Sequence, residues 1–456
     1  MMKLTLIHPR VGSYPGKEYL RVWQMESLPM AQIAALTPGY IKIEFWDDRM
    51  EEIPFDEPTD LVGISIETYT ARRAYQIASE YRKRKIPVVM GGFHATLNPK
   101  EVLEYADAVV IGQAENCWNK LLNDFINGTL KRVYTTELNL SESKIIPDRS
   151  IYRNKDYLKI NLIEAGRGCN YSCNFCAIQK FFNRHHSYRD ITVITREINQ
   201  IKTNKRLFFF VDDNITASHS GAKELFRALI PLKIRWVGQA DLTISNDEEL
   251  LRLMAESGCQ GVLIGFESLE PDNLKSINKS FNIVPEGPAA AVKKIHDSGL
   301  RIYATFLYGN DFDTEETITS ALDFCMDNRF FMVGFNHITP FPGTELYSKL
   351  ESEKRLLYDK WWLDPEYLYG NIPFRTVLPV LEVETVARQS RKKFYSIPSI
   401  LKRLGNRVNT RNPFMTVMYL IINFLLRKDV SQRMKISMGN PDNKLELIKV
   451  KSDVKF

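Results

Sequence analysis

Five short runs near the start of the chain carry apolar side chains on both faces of an extended segment: LTLIH at 4–8, IKIEFWD at 41–47, LVGIS at 61–65, VVMGG at 88–92 and AVVIG at 108–112. Between them lie stretches with apolar residues at helical spacing, such as ARRAYQIASEYRKR from Ala71. Two-sided apolar strands alternating with helices predict a parallel sheet covered on both faces, a doubly wound α/β fold. Ligands in such folds bind at the carboxyl ends of the strands. Ser65, Gly91, Gly92, His94, Gly112 and Glu115 fall at those ends and are candidate ligand contacts. Glycines there are equally what a tight βα turn needs.

Residues 139–158 break the pattern with polar residues and a proline and read as a linker. The alternation then resumes. INLIEAG, LFFFVDDN at 207, RWVGQADLT at 235, GVLIGFES at 261, RIYATFLYG at 301 and MVGFNHITPFPGT at 332 are six strand candidates, each followed by a helical stretch. That count suits a β/α barrel, full or partial, whose catalytic residues gather at the strand C-termini. Beyond about 375 the strand signals fade into basic helical segments. The expected organisation is a doubly wound domain at 1–138, a linker at 139–158, a barrel at 159–375 and a helical C-terminal region at 376–456.

The length of 456 residues agrees with more than one domain, and 44% hydrophobic with 25% charged residues reads as globular. The first residues, MMKLTLIHPRVG, lack the pattern of a secretory signal, so the expected location is the cytoplasm. The net charge of +6 is uneven: residues 376–456 hold sixteen Lys and Arg against six Asp and Glu, a local +10, leaving −4 for the rest. Such a tail is a solvated surface, or it faces anionic lipid, an acidic electron donor or nucleic acid. Within it, FMTVMYLIINFLL at 414–426 is too short to cross a bilayer and reads as a buried core helix, or alternatively as an interfacial or substrate-facing one. The aromatic residues at 361–374, with WW at 361, are expected to line or cover a cavity.

The chemistry lies in GRGCNYSCNFCAIQKFF, where Cys169, Cys173 and Cys176 are spaced C-x3-C-x2-C. Six cysteines in a cytoplasmic chain this long are not a disulfide framework, and Cys117, Cys259 and Cys325 read as buried small hydrophobes. Structural zinc takes four ligands, and here a fourth is missing. His185 and His186 follow, but within a basic stretch, NRHHSYR, that opposes a cation. An iron-sulfur cluster of four irons held by three thiolates leaves one iron open to a substrate or cofactor.

This motif, with Phe175 directly before the last cysteine, resembles the signature of the radical S-adenosylmethionine (SAM) superfamily. The resemblance implies that Cys169, Cys173 and Cys176 hold a 4Fe-4S cluster, that the open iron binds SAM, and that Phe175 flanks the adenine. It implies that Asp212 and Asp213 in FVDDN accept from the SAM amino group where the family usually carries Gly-Gly-Glu. Capping of the next helix by Asp213 or Asn214 is the alternative. Glu267 in GFES is expected at the ribose hydroxyls, with Gln239 a weaker candidate of that kind. The doubly wound domain with GGFHATLNP and DAVVIGQAE, followed by a barrel, resembles the cobalamin-binding radical SAM enzymes, which include methylases and the anaerobic oxidative cyclase of magnesium-porphyrin synthesis. The D-x-H-x-x-G motif that supplies a lower cobalt ligand in some cobalamin proteins is absent, and His94 is expected near the corrin rather than as that ligand.

Three functions follow from the resemblance: a methylase that uses cobalamin and SAM to methylate an unactivated carbon, a radical SAM enzyme that oxidises, cyclises or rearranges, and a non-catalytic binding protein. The last fits worst, since an open iron serves no structural purpose. The implied partners are a small-molecule or lipid-like substrate, a low-potential donor such as flavodoxin or ferredoxin, and an anionic membrane surface met by the basic tail. RNA modification is set aside, because only Cys117 occupies the N-terminal part and the tail is helical.

Overall fold

The computed structural model describes residues 1–13, 24–135, 143–201, 207–411, 413–429, 436–440 and 447–450. Strands β1 (Lys3–His8), β2 (Lys42–Asp47), β3 (Leu61–Ser65), β4 (Val88–Gly91), β5 (Ala108–Ile111) and β6 (Val133–Thr135) form one parallel sheet in the order β2-β1-β3-β4-β5-β6. Five are the apolar runs of the sequence; β6, three residues long, is too short for its pattern to show. Alternate residues serve opposite faces. Ile7, Val62, Ile64 and Met90 meet the helix Ala71–Lys83, whereas Leu4, Leu6, Leu61 and Val89 meet the helices Leu28–Leu36 and Trp118–Ile126. Because β1 lies between β2 and β3, the winding reverses there, and a crevice opens at the strand ends.

The second sheet holds β7 (Ile160–Ile163), β8 (Leu207–Phe210), β9 (Arg235–Ala240), β10 (Cys259–Glu267), β11 (Arg301–Tyr308) and β12 (Met332–His337) in chain order, every neighbour parallel. β7 and β12 do not pair with each other, so the barrel is partial. The two sheets are strapped together. Tyr152 packs edge-on against Phe45 at 5.4 Å, and Arg149 bridges Glu26 at 3.0 Å and Glu197 at 2.8 Å. The polar stretch before β7 is therefore packed across the junction over its described part.

Trp361 and Trp362 do not line a cavity. Both are core residues of the first sheet's outer layer, with indole nitrogens donating to the Pro340 carbonyl at 2.9 Å and to Glu101 at 2.8 Å. An indole buries a large apolar area while its N–H keeps a partner, which suits a pin between layers better than a cavity wall.

The C-terminal region contains helices Val380–Phe394, Ile397–Leu404 and Pro413–Asp429 and a short strand, Ile436–Met438, that pairs with Gly12–Ser13 and Leu368–Tyr369. The apolar run is not a buried core helix. Val417, Ile421 and Phe424 are 53%, 47% and 46% exposed, while Tyr419 and Asn423 are buried. Arg403 explains the inversion. Its guanidinium is wholly buried over the Phe394 ring and donates to the carbonyls of Phe330 at 3.0 Å and Phe394 at 2.9 Å and to Asn423 Oδ1 at 3.1 Å. A buried cation demands acceptors, so the helix turns Tyr419 and Asn423 inward, with Met415, Leu420 and Ile422 partly buried beside them, and leaves Val417, Ile421 and Phe424 outside. Among the described residues no helix is long and apolar enough to cross a membrane.

Candidate functional site

After β7 the chain runs through Gly166–Gly168, which pairs antiparallel with His186–Tyr188 and forms a ribbon carrying the cysteine loop. Gly168 has φ +82°, and a Cβ there would lie 2.0 Å from the His185 carbonyl oxygen, so this turn accepts only glycine. Cys169, Cys173 and Cys176 are all free thiols. Burial pushes Cys173 up to about 12 and raises the other two, and the neighbouring thiols add to the rise at Cys173 and Cys169. Yet among the described residues no three His, Cys, Asp or Glu side chains converge on a point that would hold one ion. Three thiols on one short segment are the ligand set of an iron-sulfur cluster with one iron left open. Cys117, Cys259 and Cys325 are buried elsewhere in the cores.

The strand ends around this loop carry charge. Glu267 ends β10 at φ +63°, next to an irregularity in pairing with β11, and its carboxylate accepts from Lys279 Nζ at 2.8 Å. The lysine also faces the thiols of Cys173 and Cys176, which raise its pKa together with Glu267 against the cost of burial. After β8, Asp212 accepts from the Ala165 N–H at 3.0 Å and Asp213 from the Gly168 N–H at 2.9 Å, so both brace the entry to the cysteine loop. Burial pushes Asp212 up to about 8 and Asp213 up to about 6, and Asp212 Oδ1 is buried without a partner. Neither Asp213 nor Asn214 caps the following helix: Ser218 does, while Asn214 donates to Asp241 at 2.7 Å. Gln239 donates to the Asp212 carbonyl at 3.2 Å.

Two cavities flank the cysteine loop. The first, of about 400 Å³, lies between the sheets at the winding reversal. Ser65, Gly91, Gly92, Gly112 and Glu115 line it from the first sheet, and Arg167, Phe181, Phe182 and Asp213 from the ribbon side. Arg167 spans the junction, holding Glu115 at 2.6 Å and Glu164 at 2.8 Å; no local pattern in the sequence marks it. A Cβ on Gly112 would meet nothing within 4 Å, so glycine leaves an open floor that a large flat ring can approach. His94 is not at this floor. The short helix Phe93–Leu97 turns it into the core, where its ring lies within hydrogen-bond reach of Thr68 at 3.2 Å and Glu101 at 3.1 Å. None of the seven histidines lines this cavity. Glu67, which the sequence reading passed over, points to the same cavity, and burial raises its carboxyl.

The second cavity, of about 510 Å³, is bounded by Phe175 of the cysteine loop, by Tyr303, Asn336 and His337 of the barrel strands, by Tyr69 and Tyr369, and by Glu384, Arg388 and Arg391 of the Val380–Phe394 helix. Leu426 of the inverted apolar helix closes one side. Phe175, Tyr369 of the aromatic segment and Leu426 of the apolar run come from stretches the sequence marked; the rest are scattered over strands and a helix that meet only in the fold.

Residues 163–325 match the Radical SAM superfamily and residues 37–122 the B12 binding domain. The chain is similar to the bacteriochlorophyllide d C-8(2)-methyltransferase of Chlorobaculum tepidum, at 30% identity over 366 residues covering 73% of this chain and 78% of that protein. It is similar to the hopanoid C-2 methylase of Rhodopseudomonas palustris, at 26% identity covering 82% and 72%. In fold it resembles the radical SAM methyltransferase TsrM of Kitasatospora setae, solved with tryptophan and a SAM analogue, with TM-score 0.66, 16% identity and coverage of 94% and 98%.

Proposed function

Since the chain belongs to the cobalamin-binding radical SAM methyltransferases, we propose that it methylates an unactivated carbon of an apolar, ring-built small molecule held in the second cavity. One observation carries this reading: the cysteine-bearing segment lines both cavities, with Phe175 of its loop on one side and Phe181 and Phe182 at the end of the helix that follows on the other. A methyl carrier in the first cavity and an acceptor in the second would both approach the cysteine loop. When bound, the cluster with SAM supplies a 5'-deoxyadenosyl radical and cobalamin supplies the methyl carrier.

The residues divide the remaining work. Cys169, Cys173 and Cys176 would hold the cluster. Asp212, with its unpartnered oxygen, and Asp213 are candidates for the SAM ammonium. Glu267, steadied by Lys279, and Gln239 are candidates for the ribose, and Phe175 for the adenine face. Ser65, Gly91, Gly92, Gly112 and Glu115 would border the corrin, with boundaries of the units at 1–138, 159–375 and 376–456. His94 has no part in this. Curated relatives acting on bacteriochlorophyllide and on a hopanoid favour a polycyclic acceptor.

We further propose that the Pro413–Asp429 helix meets an anionic membrane surface. Val417, Ile421, Phe424 and Leu425 form an exposed apolar stripe, followed by exposed Arg427 and Lys428. The reading is tested with methyl-labelled SAM and reduced, cluster-loaded protein. Label transferred to an organic-soluble product only when cobalamin is present supports it. SAM consumed to 5'-deoxyadenosine alone, with an oxidised or cyclised product, would move the chain to the oxidative class.

A further inference from the structure

We propose that the second cavity recognises its substrate by a carboxylate, with Arg388 as the residue that binds it. The inference rests on the methylase reading, because it takes this cavity as the acceptor site. On the Val380–Phe394 helix, Glu384, Ala387, Arg388 and Arg391 recur at the i, i+3, i+4 and i+7 spacing of one face, and all four line the cavity.

The two arginines of this face are not equivalent. Arg391 is committed to the protein: its Nε donates to the Phe335 carbonyl at 2.6 Å and its NH2 to Asn336 Oδ1 at 2.9 Å. Glu384, the acid on this face, accepts from the Ile372 N–H at 3.0 Å. Arg388 makes no hydrogen bond or ion pair with any described residue, although it is half-buried beside the cavity. The lining thus holds two guanidinium groups against one carboxylate. Facing them are Tyr69, Phe175, Tyr303 and Tyr369, which suit a flat apolar body. His337, also on the lining, has a buried Nε2 without a partner, so the polar end of the cavity has unused hydrogen-bonding capacity on both walls.

A guanidinium held next to an apolar cavity without a counter-ion is unfavourable until an anion arrives, and a planar fork matches a carboxylate in two parallel bonds. A ring-built acid satisfies both halves of the site: the rings meet the aromatic wall while the carboxylate pairs with Arg388. A neutral polycyclic lipid would satisfy only the first. Ala387, between the charged positions, leaves room for that approach.

The test uses the full chain and fluorescence titration with a metal-free chlorin carboxylic acid and its methyl ester. The acid is expected to bind about tenfold tighter than the ester, the order of one charge-assisted hydrogen-bond pair. Arg388→Gln is expected to remove that preference by weakening the acid alone, and Arg388→Lys to restore part of it. Equal affinity of wild type for acid and ester, an undiminished preference in Arg388→Gln, failure of both probes to bind, or binding of a neutral triterpenol in their place would each overturn the proposal. Methyl transfer from SAM to cobalamin, followed without any acceptor, separates the two ideas. Its presence beside a failed titration sinks the carboxylate site alone, and its absence sinks the methylase reading while the titration stands on its own.

Discussion

Lys279 and Glu267 form a largely buried ion pair at 2.8 Å against the cysteine loop, with Glu267 held in a left-handed backbone conformation at the end of β10. A Cβ on Gly265 would lie 2.2 Å from the Glu267 carboxylate, so the pair occupies space that glycine leaves open. The charge of Lys279 is favoured by Glu267 and by the thiols of Cys173 and Cys176 against the cost of burial.

Removing one partner of this pair strands a buried charge. Lys279→Met is expected to destabilise the fold by about 3–5 kcal/mol, read as a lowered denaturant midpoint, and to reduce iron retention after reconstitution. Combined Lys279→Met and Glu267→Gln should recover a large part of the loss. A single variant as stable as wild type would contradict the burial argument.

Cys173→Ala is expected to lose iron and all SAM cleavage yet bind cobalamin with unchanged affinity, because no cysteine lines the 400 Å³ cavity. Iron analysis and corrin absorbance on the same sample check both halves. Wild-type cleavage in this variant would remove the cluster assignment.

Gly112→Phe should do the converse. Its backbone sits at φ +78°, so any side chain costs about 1–2 kcal/mol, and the ring would project into the open floor of the cavity. Loss of cobalamin binding with iron content intact is the expected result, and corrin binding at wild-type strength would exclude this floor as the site.

His337 links stability to pH. Burial, and then the neighbouring Arg391, push its imidazole down to about 4 from an ordinary value of 6.5. Between those values the unfolded chain binds the proton and the folded chain does not. This imidazole therefore leaves stability intact above 6.5 and erodes it as pH falls towards 4. Against His337→Asn, wild type should lose stability over that interval. Denaturant curves for the two that stay parallel from pH 7 to 4 would contradict the shift.

Ile421→Glu with Phe424→Glu should abolish co-sedimentation with phosphatidylglycerol vesicles without disturbing the buried Arg403–Asn423 contact, since both side chains point outward. Wild-type binding should weaken at high salt through screening of the basic tail. Equal sedimentation of wild type and variant would contradict membrane binding through the apolar stripe, and self-association present in wild type but lost in the variant would assign the stripe to a second copy.

Much of this was legible in the chain. The two-sided apolar runs located five of six strands in the first sheet and all six in the second, because period and flanking turns are local signals. The three cysteines were equally plain, since their spacing is itself the chemistry. What stayed hidden depends on long-range contact. His94 sits two residues after Gly92, so nothing local distinguishes a cavity wall from the core pocket that Thr68 and Glu101 provide. The Pro413–Asp429 helix looked like core because its composition is apolar. Its orientation is set by Arg403, ten residues upstream in another helix. Arg167, Lys279 and Arg388 carry no motif, and their importance comes from what faces them.

The most direct measurement follows the methyl group. Anaerobic, cluster-reconstituted protein loaded with cob(I)alamin is mixed with SAM and watched in the visible spectrum. Appearance of methylcobalamin is the predicted result. Its absence, in protein that still cleaves SAM to 5'-deoxyadenosine, would contradict the methylase account.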